Sequence, residues 1–260
     1  MSAMTSLRDG TFRSFRIRNF RLYFAGQVVS QSGTWMQTIA LGWLVLQLSH
    51  NSGVVVGFLV AAQYLPTLLF GVWGGVIADS FDKRKVLIIT QTCMTVVSAL
   101  LAILVFADVV QIWMAYVIVV VNGLALAVDN PTRQSFVTEV VDRDHLATAV
   151  ALNSVMFNSA RIVGPALASV IIEAFGADVQ RGTGVCFALN AVSYLAVIGC
   201  LARMNPAAFR RSEPVARSRG QIRAAVSYAR GEPALRSPGC SSSRWAPRCA
   251  SCSTRSRSSR

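Results

Sequence analysis

Charged side chains are scarce in this sequence. Asp, Glu, Lys and Arg together make up 14% of its 260 residues, whereas soluble globular domains carry about 25%. Apolar residues make up 53% of the chain, and the mean hydropathy is +0.48. This balance excludes an ordinary soluble domain and predicts a membrane protein with the lipid bilayer as its main surroundings.

Among these few charged residues, the acidic ones are the rarer. The chain has 12 Asp and Glu against 25 Lys and Arg, which gives a net charge of +13. Such a basic balance can indicate nucleic-acid binding. Here, however, the cations lie in short links between apolar runs and at the two ends. We therefore expect no nucleic-acid partner.

Motifs for catalysis and cofactor binding are also lacking. The sequence has no phosphate-cradling glycine loop, no Gly-x-Ser-x-Gly elbow and no His/Glu zinc spacing. Its six cysteines form no disulfide framework, and Cys249-x-x-Cys252 has no second pair or histidine beside it. These absences predict no enzyme activity, no cofactor and no metal site.

Long apolar runs, in contrast, are abundant. A helix needs about 20 apolar residues to cross the bilayer core, and in hydrocarbon a single spanning segment satisfies its own backbone only as a helix. The sequence therefore predicts an all-α, polytopic fold with six transmembrane helices, at 20–48, 53–78, 86–107, 111–128, 146–175 and 183–202.

Cations mark alternate connections between these runs, and cytoplasmic loops are the ones enriched in Lys and Arg. Arginines precede the first run and follow the sixth. The second link has Lys83, Arg84 and Lys85, and the fourth has Arg133 and Arg143. The first and third links have none, and the fifth has only Arg181, beside Glu173 and Asp178, so the alternation is nearly complete. This pattern predicts that both termini are cytoplasmic.

The chain divides into four predicted segments. A cytoplasmic N-terminal segment covers 1–19, a six-helix transmembrane unit 20–203, a cytoplasmic loop with an amphipathic helix 204–236, and a Ser/Arg-rich tail 237–260. Such a tail is typical of disorder. Alternatively, the reading frame shifted near Ser237 and cut short a larger protein, which is the explanation we expect.

Polar side chains follow one face of the first run. Gln27, Gln31, Trp35 and Thr38 are spaced by three or four residues, which places them in one stripe on a helix. Such a stripe can line a cavity, or it can hydrogen-bond to neighbouring helices. Both interpretations stay open at this point.

Small residues in the second run predict helix packing. Gly71-x-x-x-Gly75 repeats the spacing of Gly53-x-x-x-Gly57, and small residues four apart let helices approach closely. Pro66 lies between the two pairs and predicts a kink whose freed carbonyl is satisfied by neighbouring groups.

The fifth run carries an arginine well inside its apolar stretch. Arg161 shares a helix face with Asn153, Phe157 or Asn158, and Pro165. An intramembrane cation is costly unless it meets water, an acid or carbonyls. We expect a functional role, although capping of carbonyls or snorkelling would also account for it. Asp129 is the nearest counter-ion in sequence, with Asp79 as the alternative.

The fourth link, which begins "DNPTRQ", predicts a break in the helix. Asn130 precedes Pro131, and the residue before a proline is pushed away from the helical region. We therefore expect the fourth helix to end near 128, with a short cytoplasmic segment after it.

The link between the second and third runs resembles the signature of the major facilitator superfamily, Gly-x-x-x-Asp-x-x-x-basic-basic. Gly75, Asp79, Lys83 and Arg84 fill those places, with Lys85 behind them, and an acid, Asp82, stands where glycine is common. That acid, together with "NPTRQSFVTEVV" and "NSARIVGPALA", is similar to the multidrug and siderophore branch that includes the enterobactin exporter. The resemblance covers roughly residues 18–203 and would be the N-terminal six-helix half.

The resemblance implies two six-helix halves, each of two inverted three-helix repeats, rocking around a central cavity. It implies a bacterial inner-membrane exporter, coupled to a H+ gradient, that moves amphipathic drugs or siderophores. The residues from Gly75 to Lys85 would form a cytoplasmic conformational latch. Gly164 and Pro165, within "NSARIVGPALA", would pack helices.

The sequence departs from the family pattern in two respects. Asn122–Gly123 stands where Gln–Gly follows a helix-four arginine in the family, and Val119 takes the place of that arginine. Arg161 and Asp129 are the substitutes we would test. The C-terminal half is missing, so this half would pair with that half as a separate partner, pair with a second copy of itself, or not transport. The alternative function is a non-transporting membrane interaction or assembly protein.

Overall fold

The computed structural model describes residues 18–141, 143–176 and 178–204, and these residues form helices without any strand. The helices, in chain order, are α1 (Arg18–Leu48), α2 (Gly53–Ser80), α3 (Lys83–Phe106), α4 (Ile112–Val140), α5 (Arg143–Ala174) and α6 (Val179–Arg203). The predicted all-α fold is confirmed. The amphipathic helix predicted within 204–236 and the tail at 237–260 lie outside the described residues.

Five of the six helices, α2 to α6, are long and apolar enough to cross a membrane, by length and composition. The first helix has the length, since its 31 residues rise about 46 Å against a core of about 30 Å. It is less apolar because Gln27, Gln31, Gln37 and Gln47 all lie on it. The membrane crossing of α1 stays a prediction.

Helix packing follows a twofold pattern. Helix α1 packs mainly on α5 and α6, α4 packs mainly on α2 and α3, and α3 packs on α6. If α1, α2 and α3 are exchanged with α4, α5 and α6, respectively, the same set of helix contacts results. This is the arrangement expected of two three-helix repeats that form half of a major facilitator fold.

Two apolar cores lie on either side of a polar layer. One core gathers Leu44 of α1, Leu101 of α3 and Phe187 of α6. The other gathers Phe20 of α1 and Phe136 of α4 with their neighbours. Between the two cores, along the same helices, buried polar side chains are frequent, among them Gln27, Thr90, Gln91, Asp129, Arg133 and Asn190.

The predicted break after residue 128 is wrong, because α4 continues through Pro131 to Val140. A proline cannot donate to the carbonyl four residues earlier, here that of Ala127. This carbonyl faces Gly74 of α2, at the place where a Cβ on Gly74 would collide with it. Close packing thus accommodates the freed carbonyl, and the helix persists.

The link between α2 and α3 is much shorter than predicted. Helix α2 runs to Ser80 and α3 begins at Lys83, so only Phe81 and Asp82 separate them. Asp82 is the N-cap, since its Oδ1 accepts hydrogen bonds from the backbone N–H of Arg84 at 3.0 Å and of Lys85 at 3.3 Å. The cap explains why the helix begins before the apolar run does.

Candidate functional site

A carboxylate lies fully buried in the polar layer. Asp129 of α4 has 0% exposure. Its Oδ1 accepts hydrogen bonds from Thr90 Oγ1 at 2.7 Å and from Gln91 Nε2 at 3.0 Å, both on α3. Its Oδ2 forms an ion pair with Arg133, one turn later on α4. Two helices therefore converge on this acid.

Arg133 extends the network to a third helix. Its Nε donates to Asp129 and one of its terminal nitrogens donates to Gln27 Oε1 on α1. The side chain is 7% exposed, so its prediction as a loop cation is wrong. Removing one member of such a buried pair is costly, because the other charge is left without compensation.

The expected pairing of Asp129 with Arg161 is wrong as well, since Asp129 is engaged by Arg133. The sequence spacing of Asp129 and Arg133 could have revealed their ion pair. Asp129 and Arg133 are four residues apart, which places them on one helical face. The predicted break at Pro131 concealed it, because i and i+4 are neighbours only if the helix continues.

A second polar network joins α1 to α3 and α6. Gln37 Oε1 accepts hydrogen bonds from Ser98 Oγ and Asn190 Nδ2, each at 2.7 Å. Thr34 shares a 3.0 Å hydrogen bond with the hydroxyl of Tyr194. These residues pack helices together, so this part of α1 corresponds to the packing interpretation.

A cleft of about 720 Å³ lies between α1, α4 and α5. Its apolar walls include Val137, Val150 and Phe157, and two arginines, Arg133 and Arg161, face it. Amide side chains make up most of the remainder: Gln27, Gln31, Asn130, Gln134, Asn153 and Asn158. The cleft is thus amphipathic, with hydrogen-bonding groups beside apolar patches.

The predicted polar stripe of α1 serves two purposes. Gln27 and Gln31 line the cleft, whereas Thr38 accepts a 3.4 Å hydrogen bond from Gln63 of α2. Asn122, which stands at the place of the family's glutamine and is a candidate for lining the cavity on that ground, is 8% exposed and is not among the lining residues. Its Oδ1 has no hydrogen-bond partner among the described residues.

Arg161 faces the cleft and stacks on Trp35. Its guanidinium carbon lies 5.1 Å from the centre of the indole ring, within the range of a cation–π contact. It pairs with no carboxylate among the described residues. At about 1.5 Å per residue, it lies about 27 Å from the start of α5 and about 20 Å from its end, too deep for a side chain to reach either end.

Glycines and prolines set how closely the cleft helices approach. A Cβ at Gly164 of α5 would lie 2.5 Å from Trp35 Cβ and 2.7 Å from the Ser32 carbonyl oxygen of α1. A Cβ at Gly123 of α4 would lie 2.7 Å from the Gln63 carbonyl oxygen and 3.0 Å from Pro66 of α2. Pro165 is half-buried beside Gly164.

The predicted packing glycines of α2 behave differently. A Cβ at Gly71 or Gly75 would meet no atom within 4 Å. The close approach in this helix is at Gly74, which the sequence reasoning passed over in favour of the four-residue spacing. A packing role for Gly71 would need a surface beyond the described residues.

The residues of the predicted latch divide into two groups. Lys83 forms a 2.5 Å ion pair with Glu139 near the end of α4. Arg84 donates to the carbonyl oxygens of Leu201 at 2.9 Å and Ala202 at 3.0 Å, in the last turn of α6. Together with the Asp82 cap, these contacts hold the start of α3 to its neighbours.

Asp79 and Lys85 form the other group. Both are exposed, and neither makes a side-chain hydrogen bond or ion pair among the residues that the structure describes. Gly75 lies one turn before Asp79 on α2, half-buried and with open space around it. These positions are accessible to a further protein surface.

Comparison with known proteins agrees with this architecture. A family model described as transmembrane secretion effector matches residues 9–238. The staphyloferrin A transporter of Staphylococcus aureus is 31% identical over 183 residues, which is 70% of this chain and 44% of that protein. An uncharacterized MFS-type transporter of Bacillus subtilis is 28% identical over 58% of this chain and 35% of its own length.

Macrolide efflux protein A of Streptococcus pyogenes is 22% identical over 60% of this chain and 39% of its own length. The chain thus spans less than half the length of the curated relatives that it matches. Their printed names describe transporters and efflux proteins rather than enzymes.

Proposed function

We infer a function from one premise: this chain belongs to the major facilitator superfamily, in its family of transmembrane secretion effectors. It is a multi-pass membrane protein whose surroundings are the lipid bilayer. We propose that it is half of a proton-coupled exporter of amphipathic drugs or siderophores. It would lie in the bacterial cytoplasmic membrane with both termini in the cytoplasm, and a C-terminal half or a second copy would complete it.

The cleft is the observation that carries this proposal. Ligand sites are concave and combine apolar walls with a few converging polar groups. The space between α1, α4 and α5 has this character and a volume of about 720 Å³. Arg161 places a cation in it at membrane depth, and intramembrane ionisable residues commonly mark substrate or ion pathways.

Asp129 and Arg133 are the residues that we propose for coupling. The pair links α1, α3 and α4, and Arg133 also faces the cleft. Protonation of Asp129 would remove the charge that holds Arg133, leaving the arginine on the cleft wall without its ion-pair partner. Since only a differential interaction shifts a conformational equilibrium, the proton would favour whichever state lacks the pair.

We propose two different roles for the latch residues. Lys83 and Arg84 hold α3 to α4 and α6, so they would keep this half rigid. Asp79 has no partner in the described half and would contact the N-terminus of a helix in the other half, where an acid is favoured.

Transport would be tested in an efflux-deficient bacterial host that produces this chain together with a C-terminal half of the same family. We expect lower accumulation of a panel of amphipathic compounds than in the host alone. Asp129→Asn should restore accumulation, and the exposed Asp178→Asn should not. Unchanged accumulation across the panel, with both proteins inserted in the membrane, would favour the non-transporting alternative.

A further inference from the structure

We propose that the cleft selects anionic, carboxylate-bearing molecules over lipophilic cations, and that Arg161 sets this selectivity. The proposal rests on the proposed function in one respect, since it takes the cleft to be the substrate site. It goes further by naming the charge of the ligand, which the amphipathic walls by themselves leave open.

The charges around the cleft all have one sign. None of the described lining residues is acidic, and the two charged ones are Arg133 and Arg161. The nearby acid, Asp129, has 0% exposure and is engaged by Thr90, Gln91 and Arg133. A cationic ligand would therefore meet arginines and find no free carboxylate on this wall.

The two arginines differ in how their charge is compensated. Arg133 shares an ion pair with Asp129, so the pair is neutral overall. Arg161 has only the face of Trp35 and no carboxylate partner among the described residues. Arg161 is exposed on the cleft wall, so its charge is accessible to a bound anion.

Trp35 orients Arg161 for such a ligand. The guanidinium carbon of Arg161 lies over the indole ring at 5.1 Å from its centre, and a guanidinium has five N–H groups, which can make a two-point contact with a carboxylate. Gly164 makes the stack possible, because a side chain there would push Trp35 and α5 apart. Gly164 is therefore a positioning residue.

The amides of the wall are compatible with an anion. Gln27 forms part of the cleft wall and is 1% exposed, and its Nε2 has no acceptor among the described residues. It thus offers a donor rather than an acceptor. Asn153 and Asn158 lie on the same helix as Arg161, and each carries an amide N–H₂ group. Asn158 Nδ2 already donates one hydrogen bond, to the Ser154 carbonyl oxygen at 2.8 Å, which leaves its second N–H.

The test is a binding measurement on the full chain in nanodiscs of neutral phosphatidylcholine. Calorimetric titration with citrate is compared with titration with tetraphenylphosphonium, a lipophilic cation. We expect the wild-type chain to bind citrate more tightly than the cation. Arg161→Gln should weaken citrate binding at least about tenfold, the loss expected for a charged hydrogen-bond pair. Arg181→Gln, at an exposed arginine outside the cleft, should leave it unchanged.

Charge reversal separates selectivity from misfolding. Arg161→Glu should reverse the preference, so that tetraphenylphosphonium binds more tightly than citrate while the variant keeps the unfolding temperature of the wild-type chain. Tighter binding of the cation by the wild-type chain, or citrate binding that is equal in Arg161→Gln, would overturn the proposal.

Anionic lipid is another source of the same chemistry. The titrations are therefore repeated in discs that contain phosphatidylglycerol. If citrate still binds with the same dependence on Arg161, the soluble anion is supported. If the lipid abolishes citrate binding to the wild-type chain, a headgroup occupies the site and the proposal of a soluble ligand is overturned.

Failure of this inference differs from failure of the proposed function. Citrate binding by a chain that shows no transport with its second half would leave the selectivity standing and refute export. Export of lipophilic cations by a chain that does not bind citrate would do the reverse.

Discussion

Two arginines face the same cleft, yet their surroundings assign them different tasks. Arg133 is tied to Asp129 on its own helix and to Gln27 across the interface, so its charge holds three helices in register. Among the described residues, Arg161 contacts an aromatic face and no carboxylate, so its charge is available to a ligand. One residue type thus supplies both structure and recognition, according to the partner that lies nearby.

Removing the carboxylate of the buried pair should destabilise the helix bundle. Asp129→Asn leaves Arg133 buried without a counter-ion, a change that typically costs about 3–5 kcal/mol. The measurement is thermal unfolding of the detergent-solubilised protein. The double variant Asp129→Asn with Arg133→Gln should recover part of the loss, since no uncompensated charge is left.

The exposed pair of Asp178 and Arg181 offers the matched control. Exposed ion pairs contribute about 0–1 kcal/mol, so Asp178→Asn should shift the unfolding temperature little, apart from a small contribution from its cap of α6. If Asp129→Asn were equally mild, the buried pair would not be structural.

Single helices in this protein are shaped by their closest neighbours. Helix α4 contains a proline and still runs unbroken, and the freed Ala127 carbonyl lies at the closest approach of α4 to Gly74 of α2. Helix α5 approaches α1 closely at Gly164. When the two three-helix repeats are exchanged, this contact of α5 with α1 corresponds to the contact of α2 with α4. A small residue in one member of each pair sets the spacing.

Glycine substitutions in α2 should separate the close contact from the open positions. Gly74→Ala places a Cβ in collision with the Ala127 backbone, and overpacking of this kind costs about 1–3 kcal/mol. Gly71→Ala, in the same helix, meets nothing and should be neutral or stabilising by up to about 1 kcal/mol, since alanine is the better helix former. Thermal unfolding of the two variants provides the comparison, and a Gly71→Ala loss as large as that of Gly74→Ala would contradict it.

At the scale of the whole molecule, the signature residues between α2 and α3 fall into two groups. One group contacts the described half, and the other faces away from it. Asp82, Lys83 and Arg84 are used within the described half, whereas Asp79 and Lys85 face outward. The exposed apolar side chains of α2, such as Leu68 at 80% and Trp73 at 62% exposure, likewise suit lipid or a further protein surface.

This division predicts opposite outcomes for two neighbouring acids. Asp82→Ala removes the N-cap of α3 and should lower stability by about 1 kcal/mol. Asp79→Asn should leave stability unchanged but lower transport in the host that also produces a C-terminal half, because its proposed partner lies there. Unfolding temperatures and accumulation assays on both variants decide the matter. Full transport by Asp79→Asn would remove this acid from the mechanism.

The number of helices and their approximate positions could be read from the sequence, because hydropathy is a sum over single residues and needs no knowledge of neighbours. The cleft-lining roles of Gln27, Gln31 and Asn153 agree with the predicted polar faces for the same reason, since helical periodicity is local.

Only the tertiary structure determined which buried polar side chains contact each other. Gln27 and Arg133 are far apart in the chain, as are Thr90 and Asp129, and hydropathy carries no information about which buried group meets which. The path of α4 through Pro131 likewise depended on Gly74, a residue of another helix. In this protein the sequence determined which segments are long and apolar enough to cross a membrane, because burying apolar surface is non-specific. The fold decided which charges are compensated, because ion pairs and hydrogen bonds act only over a few ångströms.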